Sequence, residues 1–451
     1  MKYTKKERRS MKLPTFNGGV HPNDGKKLSK DCPVQTYLPK GDLVFPLSQH
    51  IGAPAKAVVA KGDEVLMGQL IAEAGGFVSA NIVSSVSGKV KGIEPRLVPS
   101  GAKVPSIIIE NDGNYTPIEG LGKYRDYKKL TREEIIDIVK WAGIVGLGGA
   151  GFPTHVKMMP KNPDDIDYII VNGAECEPYL TSDYRMMMEC PEKIVSGLKI
   201  MLHAFPTAKG IIAVEANKPD GIHNLKELIK KEPRIDVVVC QTKYPQGAER
   251  NLIYATTGRK INSTKLPADA GCIVDNVDTV IAIHMAVAET TPLMRRIFTV
   301  TGDGVNQPCN YNVKIGTSYA ELIEASGGLK ENVEKVISGG PMMGMALSTL
   351  DVPVIKTSSA MTCLTTDDVA RSIETACIRC GKCAQVCPSN IIPQKMMEAA
   401  LKVDLQKFVA LNGMECCECG SCTYACPAKR PLTQAFKQMR QAVMAERRKK
   451  S

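Results

Sequence analysis

Eight of the sixteen cysteines fall in two runs: Cys377, Cys380, Cys383 and Cys387 before Pro388, then Cys416, Cys419, Cys422 and Cys426 before Pro427. Both runs are C-x2-C-x2-C-x3-C-P. Three thiolates set two residues apart, on a chain curling around one point, can hold three irons of a cubane; the fourth lies beyond reach of that cubane, and the proline turns the chain away. The chemistry such a pattern supports is one-electron transfer through iron–sulfur clusters. Structural zinc uses paired C-x2-C knuckles separated by a longer loop, which three consecutive steps, twice over, do not match. Cys417 sits inside the second run but off the ligand spacing. The remaining seven (Cys32, Cys176, Cys190, Cys240, Cys272, Cys309, Cys363) are scattered singly and are expected as buried small hydrophobes.

In bacterial two-cluster ferredoxins the fourth cysteine of each run ligates the other cluster. The expected ligand sets are therefore Cys377, Cys380, Cys383 and Cys426 for one 4Fe–4S cluster, and Cys416, Cys419, Cys422 and Cys387 for the other. Residues 388–414, between the runs, have helical character, as the insert of a ferredoxin-like pseudo-twofold would.

A second chemical feature is the glycine-rich loop Gly146-Leu-Gly148-Gly149-Ala-Gly151. Four glycines in six residues permit positive φ and a close backbone approach, which a phosphate or a flat ring requires. No Gly-Lys-Ser/Thr follows, so it is not a P-loop. A helix rather than a strand precedes it, unlike the usual dinucleotide fingerprint. By itself such a loop is more often a tight turn than a nucleotide site.

The elements around the loop narrow the choice. Thr131 and Glu134 form a capping box at the start of an apolar-periodic helix that leads into the loop, and Pro153 suits the first turn of a following helix. Strand-like runs come next at residues 168–172, 211–215 and 235–240, separated by amphipathic stretches, which predicts an α/β domain. Asn172 ends the first strand and Glu175 and Glu177 lie just past it, where acidic groups suit ribose hydroxyls or an amide in an open crevice.

The segments GLGGAGFPTHVK, VNGAECEP, YPQGAER (244–250) and NVDT (276–279), in that order, resemble the flavin-carrying NADH-binding subunit of respiratory complex I. The resemblance spans about 150 residues. It implies that Gly146, Gly148, Gly149, Gly151 and Lys157 line an FMN and NADH pocket and that Phe152 stacks on a nicotinamide or adenine ring. It also implies that Asn172, Glu175, Glu177, Glu249 and Asn276 contact flavin or dinucleotide. Two acidic positions of that family are here Ala174 and Ala248, so the hydrogen bonding around the flavin must differ.

Residues 62–90 are similar to lipoyl and biotinyl carrier domains, but no lysine occurs between Lys61 and Lys89 and Gly75-Gly76 occupies the tip. A structural barrel-sandwich without a swinging arm is expected. Residues 297–350 resemble a β-grasp module of the soluble-ligand-binding type; Met342, Met343 and Met345 are expected to pack. The six histidines are scattered, with no H-x3-H pair.

The order of these modules, with FNGGVHP from Phe16 and PLSQHIGAP from Pro46, resembles the C subunit of Rnf complexes, which are membrane-bound, ion-translocating ferredoxin:NAD oxidoreductases. The expected architecture is multidomain α/β and α+β: a basic N-terminal segment (1–39), a barrel-sandwich hybrid (40–118), an α/β FMN/NADH-binding domain (125–290), a β-grasp module (293–355), a two-cluster ferredoxin-like helical domain (365–430) and a basic C-terminal tail (431–451). The resemblance implies electron transfer between NAD(H), FMN and two 4Fe–4S clusters, with integral and peripheral subunits of the same complex as partners and ferredoxin as an indirect one. A soluble flavin and iron–sulfur cobalamin reductase of the microcompartment type is the alternative.

Composition agrees with a soluble-type chain. At 451 residues it exceeds one core, and 43% apolar with 23% charged residues is globular. No run of eighteen apolar residues occurs, so no membrane span is expected. The first twelve residues lack the apolar segment of a secretory signal, and a peripheral place on the cytoplasmic side of the cell membrane is expected. Net charge is +11, of which residues 1–12 carry +5 and residues 429–451 carry +7, leaving −1 between. With one Trp and 5% aromatics, a nucleic-acid groove is not expected. Basic ends suit an anionic membrane surface or an acidic partner, at about 1 kcal/mol per Lys or Arg near lipid, and equally suit two solvated, fraying ends.

Overall fold

A computed structural model describes residues 13–450. The stretch 43–111 forms two facing antiparallel sheets. One has the order Glu64–Val65, Gly88–Leu97, Lys103–Asn111, Leu43–Pro46; the other pairs Lys56–Ala57, Leu70–Glu73 and Ile82–Val83. Leu43, Phe45, Ile71, Val90, Ile107 and Ile109 are fully buried between them. At Gly88 a β-carbon would stand 1.9 Å from the Glu110 carbonyl oxygen, so the two long strands can approach there only through glycine.

The central domain is built on a parallel sheet in the order Ile235–Cys240, Lys209–Glu215, Tyr168–Gly173, Cys272–Asn276. Its strands are near-continuous β-branched runs because both faces are covered. Ile169, Val171, Ile212 and Val214 pack beneath the helices Pro191–Ala204 and Val277–Ala288, whereas Ile170, Ile211 and Ala213 meet the helix Glu249–Thr257 on the other face. All three strand runs expected from sequence are present, and Cys272–Asn276 is added beside them.

The β-grasp module exceeds its expected boundaries. Its six-stranded sheet takes Val34–Tyr37 as an edge strand, parallel to Cys309–Lys314, and Ala360–Leu364 as an inner strand beside Arg295–Thr301. The segment 1–39 is therefore not a free basic arm as far as it is described: Val34–Tyr37 pairs along Cys309–Lys314 and becomes the sheet's edge. Residues 1–12, which carry the N-terminal charge, lie outside the described residues.

The C-terminal domain packs the helices Pro393–Leu401, Leu405–Ala410 and Leu432–Lys450 around Met396, Phe408 and Phe436. The insert between the cysteine runs is helical but broken, with Val403 at φ 52° ending the first helix. As far as it is described, the C-terminal stretch is not a fraying tail either: it is the helix Leu432–Lys450. Leu432, Phe436, Met439 and Val443 recur at helical spacing and are all buried, which holds the helix to the domain. No helix among the described residues is long and apolar enough to cross a membrane.

Candidate cofactor sites

The capping box is formed: Thr131 N donates to Glu134 Oε2 at 2.7 Å and Glu134 N to Thr131 Oγ1 at 3.2 Å. It starts the helix Arg132–Trp141, after which Gly143 turns the chain at φ 65°. The glycine loop is pinched at its base by a Val145–Pro153 bridge and by Gly146 N donating to Phe152 O at 2.9 Å. Leu147 nails the base down: its amide donates to Thr279 Oγ1 at 2.9 Å and its carbonyl accepts from Arg296 Nη2 at 3.0 Å. What remains free is the tip, where Gly148, Gly149 and Ala150 are exposed.

The glycines are not equivalent. A β-carbon at Gly148 would meet the Asn276 side chain at 2.8 Å, and one at Gly151 (φ 73°) would meet Thr357 Cγ2 at 2.7 Å. At Gly149 it would meet nothing within 4 Å. The first two are small because protein lies against them; Gly149 faces open space, the condition for backbone to lie against a ligand. The loop stands where the parallel strands end, the usual crevice of an α/β sheet. Asn172 and Asn276 are register partners on neighbouring strands. Lys157 Nζ lies 3.8 Å from the Gly146 β position and donates to Val274 O at 2.7 Å and Asp275 Oδ1 at 3.1 Å. Burial disfavours that ammonium, but Asp275 and Glu249 outweigh it and hold the lysine above its ordinary pKa.

The loop glycines, Lys157, Asn172 and Asn276 thus stand together at the strand ends, Glu249 is near enough to Lys157 to raise its pKa, and Phe152 closes the loop's base through its backbone. Glu175 Oε1 accepts from Asp183 N at 2.7 Å at the start of the helix Ser182–Glu189, while Oε2 has only Lys26 at 3.7 Å. Glu177 Oε1 accepts from the Met342 and Met343 amides at 2.8 and 3.2 Å, tying the central domain to the β-grasp module. In the structure these two carboxylates have partners within the protein, Glu175 at a helix start and Glu177 at the β-grasp module.

Several crevice residues were not singled out from sequence. Asn276 Nδ2 donates to Asp183 Oδ2 at 2.7 Å. Burial, then the carboxylates of Glu175 and Asp278, push the Asp183 carboxyl up to about 7. Asp278 is paired with Arg295 and Arg296 at 2.7 and 2.8 Å. Asp275 Oδ2 is buried with no hydrogen-bond partner. Asp275 and Asp278 flank or lie in the quoted NVDT motif, and their burial was the missing signal. Arg296 comes from another domain and no local pattern marks it. Lys356 joins three parts of the molecule: fully buried, its Nζ donates to Asn81 O at 2.5 Å and Gly143 O at 2.7 Å, and burial lowers its pKa to about 7.

The cysteines form two cavities. Cys377, Cys380, Cys383 and Cys426 line one, with Pro427 and Arg430 at its rim; Cys387, Cys416, Cys419 and Cys422 line the other, with Phe436 at its back. Each cavity takes three cysteines of one run and the fourth of the other. No three His, Cys, Asp or Glu side chains among the described residues converge as on a single ion; four thiolates spread around a space fit a cubane better than a lone zinc. The second cavity also holds Cys417, and Arg440 Nη1 donates to the carbonyls of Met414 and Cys416 at 2.6 and 2.5 Å.

Comparison with known proteins places this geometry. Family models match a Nuo51 FMN-binding domain over residues 139–285, an RnfC barrel sandwich hybrid domain over 14–114, an SLBB domain over 297–346 and a 4Fe-4S dicluster domain over 376–429. The chain is 42% identical to the C subunit of the Na(+)-translocating ferredoxin:NAD(+) oxidoreductase complex of Acetobacterium woodii, over 98% of this chain and 99% of that one. The chain belongs to the RnfC family. A second member, the C subunit of the proton-translocating ferredoxin:NAD(+) oxidoreductase complex of Clostridium ljungdahlii, is 46% identical over 85% of this chain and 84% of its own length. The C subunit of an ion-translocating oxidoreductase complex of Rhodobacter capsulatus is 40% identical over 94% and 82%. Among solved structures, an NAD+-reducing NiFe-hydrogenase in the air-oxidised state shares the fold, with a TM-score of 0.51 and 22% identity over 72% of this chain and 65% of that one. The RnfC chain accordingly combines a barrel-sandwich hybrid, an FMN-binding α/β domain, a β-grasp module and a dicluster domain, the order expected from sequence, and its cofactors are FMN and two 4Fe–4S clusters, with NAD(H) as redox partner.

Proposed function

We infer that this chain is the peripheral NADH-site subunit of a membrane-bound, ion-translocating ferredoxin:NAD oxidoreductase. What carries the reading is the union, on one chain, of a flavin-binding crevice and two four-thiolate cavities, in a family whose members are named as subunits of such complexes. Those names favour it over the cobalamin-reductase alternative. A bound flavin supplies the step between two-electron nicotinamide and one-electron clusters; everything else is the work of the chain's own residues.

Gly149 lets the ring system lie against the loop, Phe152 offers an aromatic face, and the Lys157 ammonium, kept charged by Asp275, offers a donor at the crevice. Asn172, Asn276 and Glu249 supply further hydrogen-bonding groups. Cys416, Cys419, Cys422 and Cys387 would hold the cluster nearer the crevice, and Cys377, Cys380, Cys383 and Cys426 the outer one, from which electrons leave for, or arrive from, a partner subunit. With no spanning helix among the described residues, ion translocation belongs to integral subunits, and ferredoxin exchanges electrons with the chain only through the complex. The chain sits on the cytoplasmic side, where its basic ends favour an anionic lipid surface or acidic partners.

Anaerobic purification with flavin, iron and sulfide quantified together, followed by NADH-driven dye reduction, tests this. Flavin with two clusters' worth of iron and sulfide, all reducible by NADH, is expected. Zinc in place of iron, or clusters that NADH does not reduce in flavin-loaded protein, would contradict it.

A further inference from the structure

The FNGGVHP motif, residues 16–22, is threaded between the flavin domain and the inner cysteine cavity. Val20 and Tyr244 exchange both backbone hydrogen bonds, at 2.8 and 2.9 Å, and Gly19 N donates to Val386 O at 2.8 Å. Gly18 and Gly19 have φ of 77° and 82°. A β-carbon on Gly18 would stand 2.8 Å from the carbonyl oxygen of Cys387, and one on Gly19 would stand 2.7 Å from that of Tyr244. Only glycine lets this strap pass so close to both.

On the strap's far side Tyr244 is 2% exposed, and its hydroxyl donates to the carbonyl oxygen of Cys419 at 2.6 Å. Two of the four cysteines of the inner cavity therefore have their peptides held from the flavin side, Cys419 by the phenol and Cys387 by the strap. A buried phenol must be satisfied, and here its proton is aimed at a peptide next to a metal-ligating sulfur. A donor to that carbonyl withdraws electron density from the ligand's peptide, which would favour the more negative, reduced form of a cluster held by Cys419. The hydroxyl keeps its proton and takes no electron itself.

We propose that Tyr244, seated on the strap of residues 16–20, is a positioning residue that raises the reduction potential of the inner cluster and fixes that cluster against the flavin crevice. This rests on the function inferred above. The test uses the full chain, purified anaerobically with both clusters, in a redox titration followed by EPR. The signal absent from Cys419→Ala identifies the inner cluster.

Tyr244→Phe keeps the ring and removes the donor. The inner signal is expected to shift to more negative potential while the outer signal stays. Loss of the inner cluster's iron with no shift in potential would reduce Tyr244 to a structural role and overturn the assignment. Unmoved signals, equal shifts of both, or loss of both clusters would overturn it. Gly18→Ala, which pushes on Cys387 from the strap, is expected to disturb the inner signal selectively; an undisturbed inner signal there would count against the strap. Absence of two cluster signals from the parent protein would instead overturn the functional reading itself.

Discussion

Arg379 in the first cysteine run and Glu418 in the second have φ of 55° and 57°; Gly381 and Gly420 have 76° and 84°; Asn390 and Lys429 have 53° and 52°. Arg379 N approaches Cys377 Sγ at 3.4 Å, and Glu418 N approaches Cys416 Sγ at 3.4 Å. The same spacing has built the same backbone twice. The surroundings differ. Cys377 and Cys380 are exposed, whereas Cys387, Cys419 and Cys422 are buried. The inner half touches Tyr244, the 16–20 strap and Met342, and Glu415 accepts from Arg250 at 2.7 Å and Ser263 Oγ at 2.6 Å. The outer half faces solvent with Ile373 and Ile378 among the chain's most exposed apolar side chains. Local sequence makes the cage; the neighbours decide which cage is buried against the flavin domain and which faces solvent.

The largest expected effect comes from breaking one cage at a time. Cys419→Ala should lose about half of the iron and, because each run supplies the other's fourth ligand, loosen the second cluster as well; it should also weaken the seam with the flavin domain. Cys380→Ala should lose a similar share of iron with that seam intact, so limited proteolysis between the domains should distinguish them. Equal loosening would erase the contrast.

Gly149→Val acts upstream of both cages. It should leave iron and sulfide unchanged and abolish NADH-driven dye reduction, since the side chain would stand in the open space beside the loop where the inferred ligand lies. A variant with full activity would remove the crevice from the account.

Asp183 provides a pH signature confined to the flavin side. Its carboxyl is raised from 3.8 in the open chain to about 7 by burial and by Glu175 and Asp278. The fold therefore binds this proton more tightly than the unfolded chain does, so stability is greatest below pH 4 in this respect and is lost as pH rises toward 7. Asp183→Asn should flatten that slope, with the melting temperature of the variant gaining on the parent from pH 4 to pH 8. Parallel curves would show that the acid ionises at its ordinary value.

The smallest effect is expected at the seam's rim. Arg250 and Glu415 are partly exposed, so Glu415→Ala should cost only about 0.5–1 kcal/mol in thermal or denaturant unfolding, with both EPR signals retained.

Where chemistry depends on neighbours in the chain, it was readable. The cysteine spacing foretold which four residues share each cavity, and Thr131 with Glu134 foretold the helix that delivers the glycine loop. Long-range placement was not. The partners of Glu177, the Met342 and Met343 amides, come from more than a hundred residues away and no local pattern announces them. Leu432–Lys450 shows charge in sequence, yet its apolar stripe decides its fate once a domain exists to receive it. Arg296 and Lys356 reach the crevice and its base from other modules, and burial, not pattern, marks them.

The most direct measurement compares rapid NADH reduction, by freeze-quench EPR, of the cluster left in Cys380→Ala and in Cys419→Ala. If the buried cage lies between the flavin and the exposed one, the cluster kept by Cys380→Ala fills as fast as in the parent and the one kept by Cys419→Ala fills far more slowly. Equal rates would contradict that order.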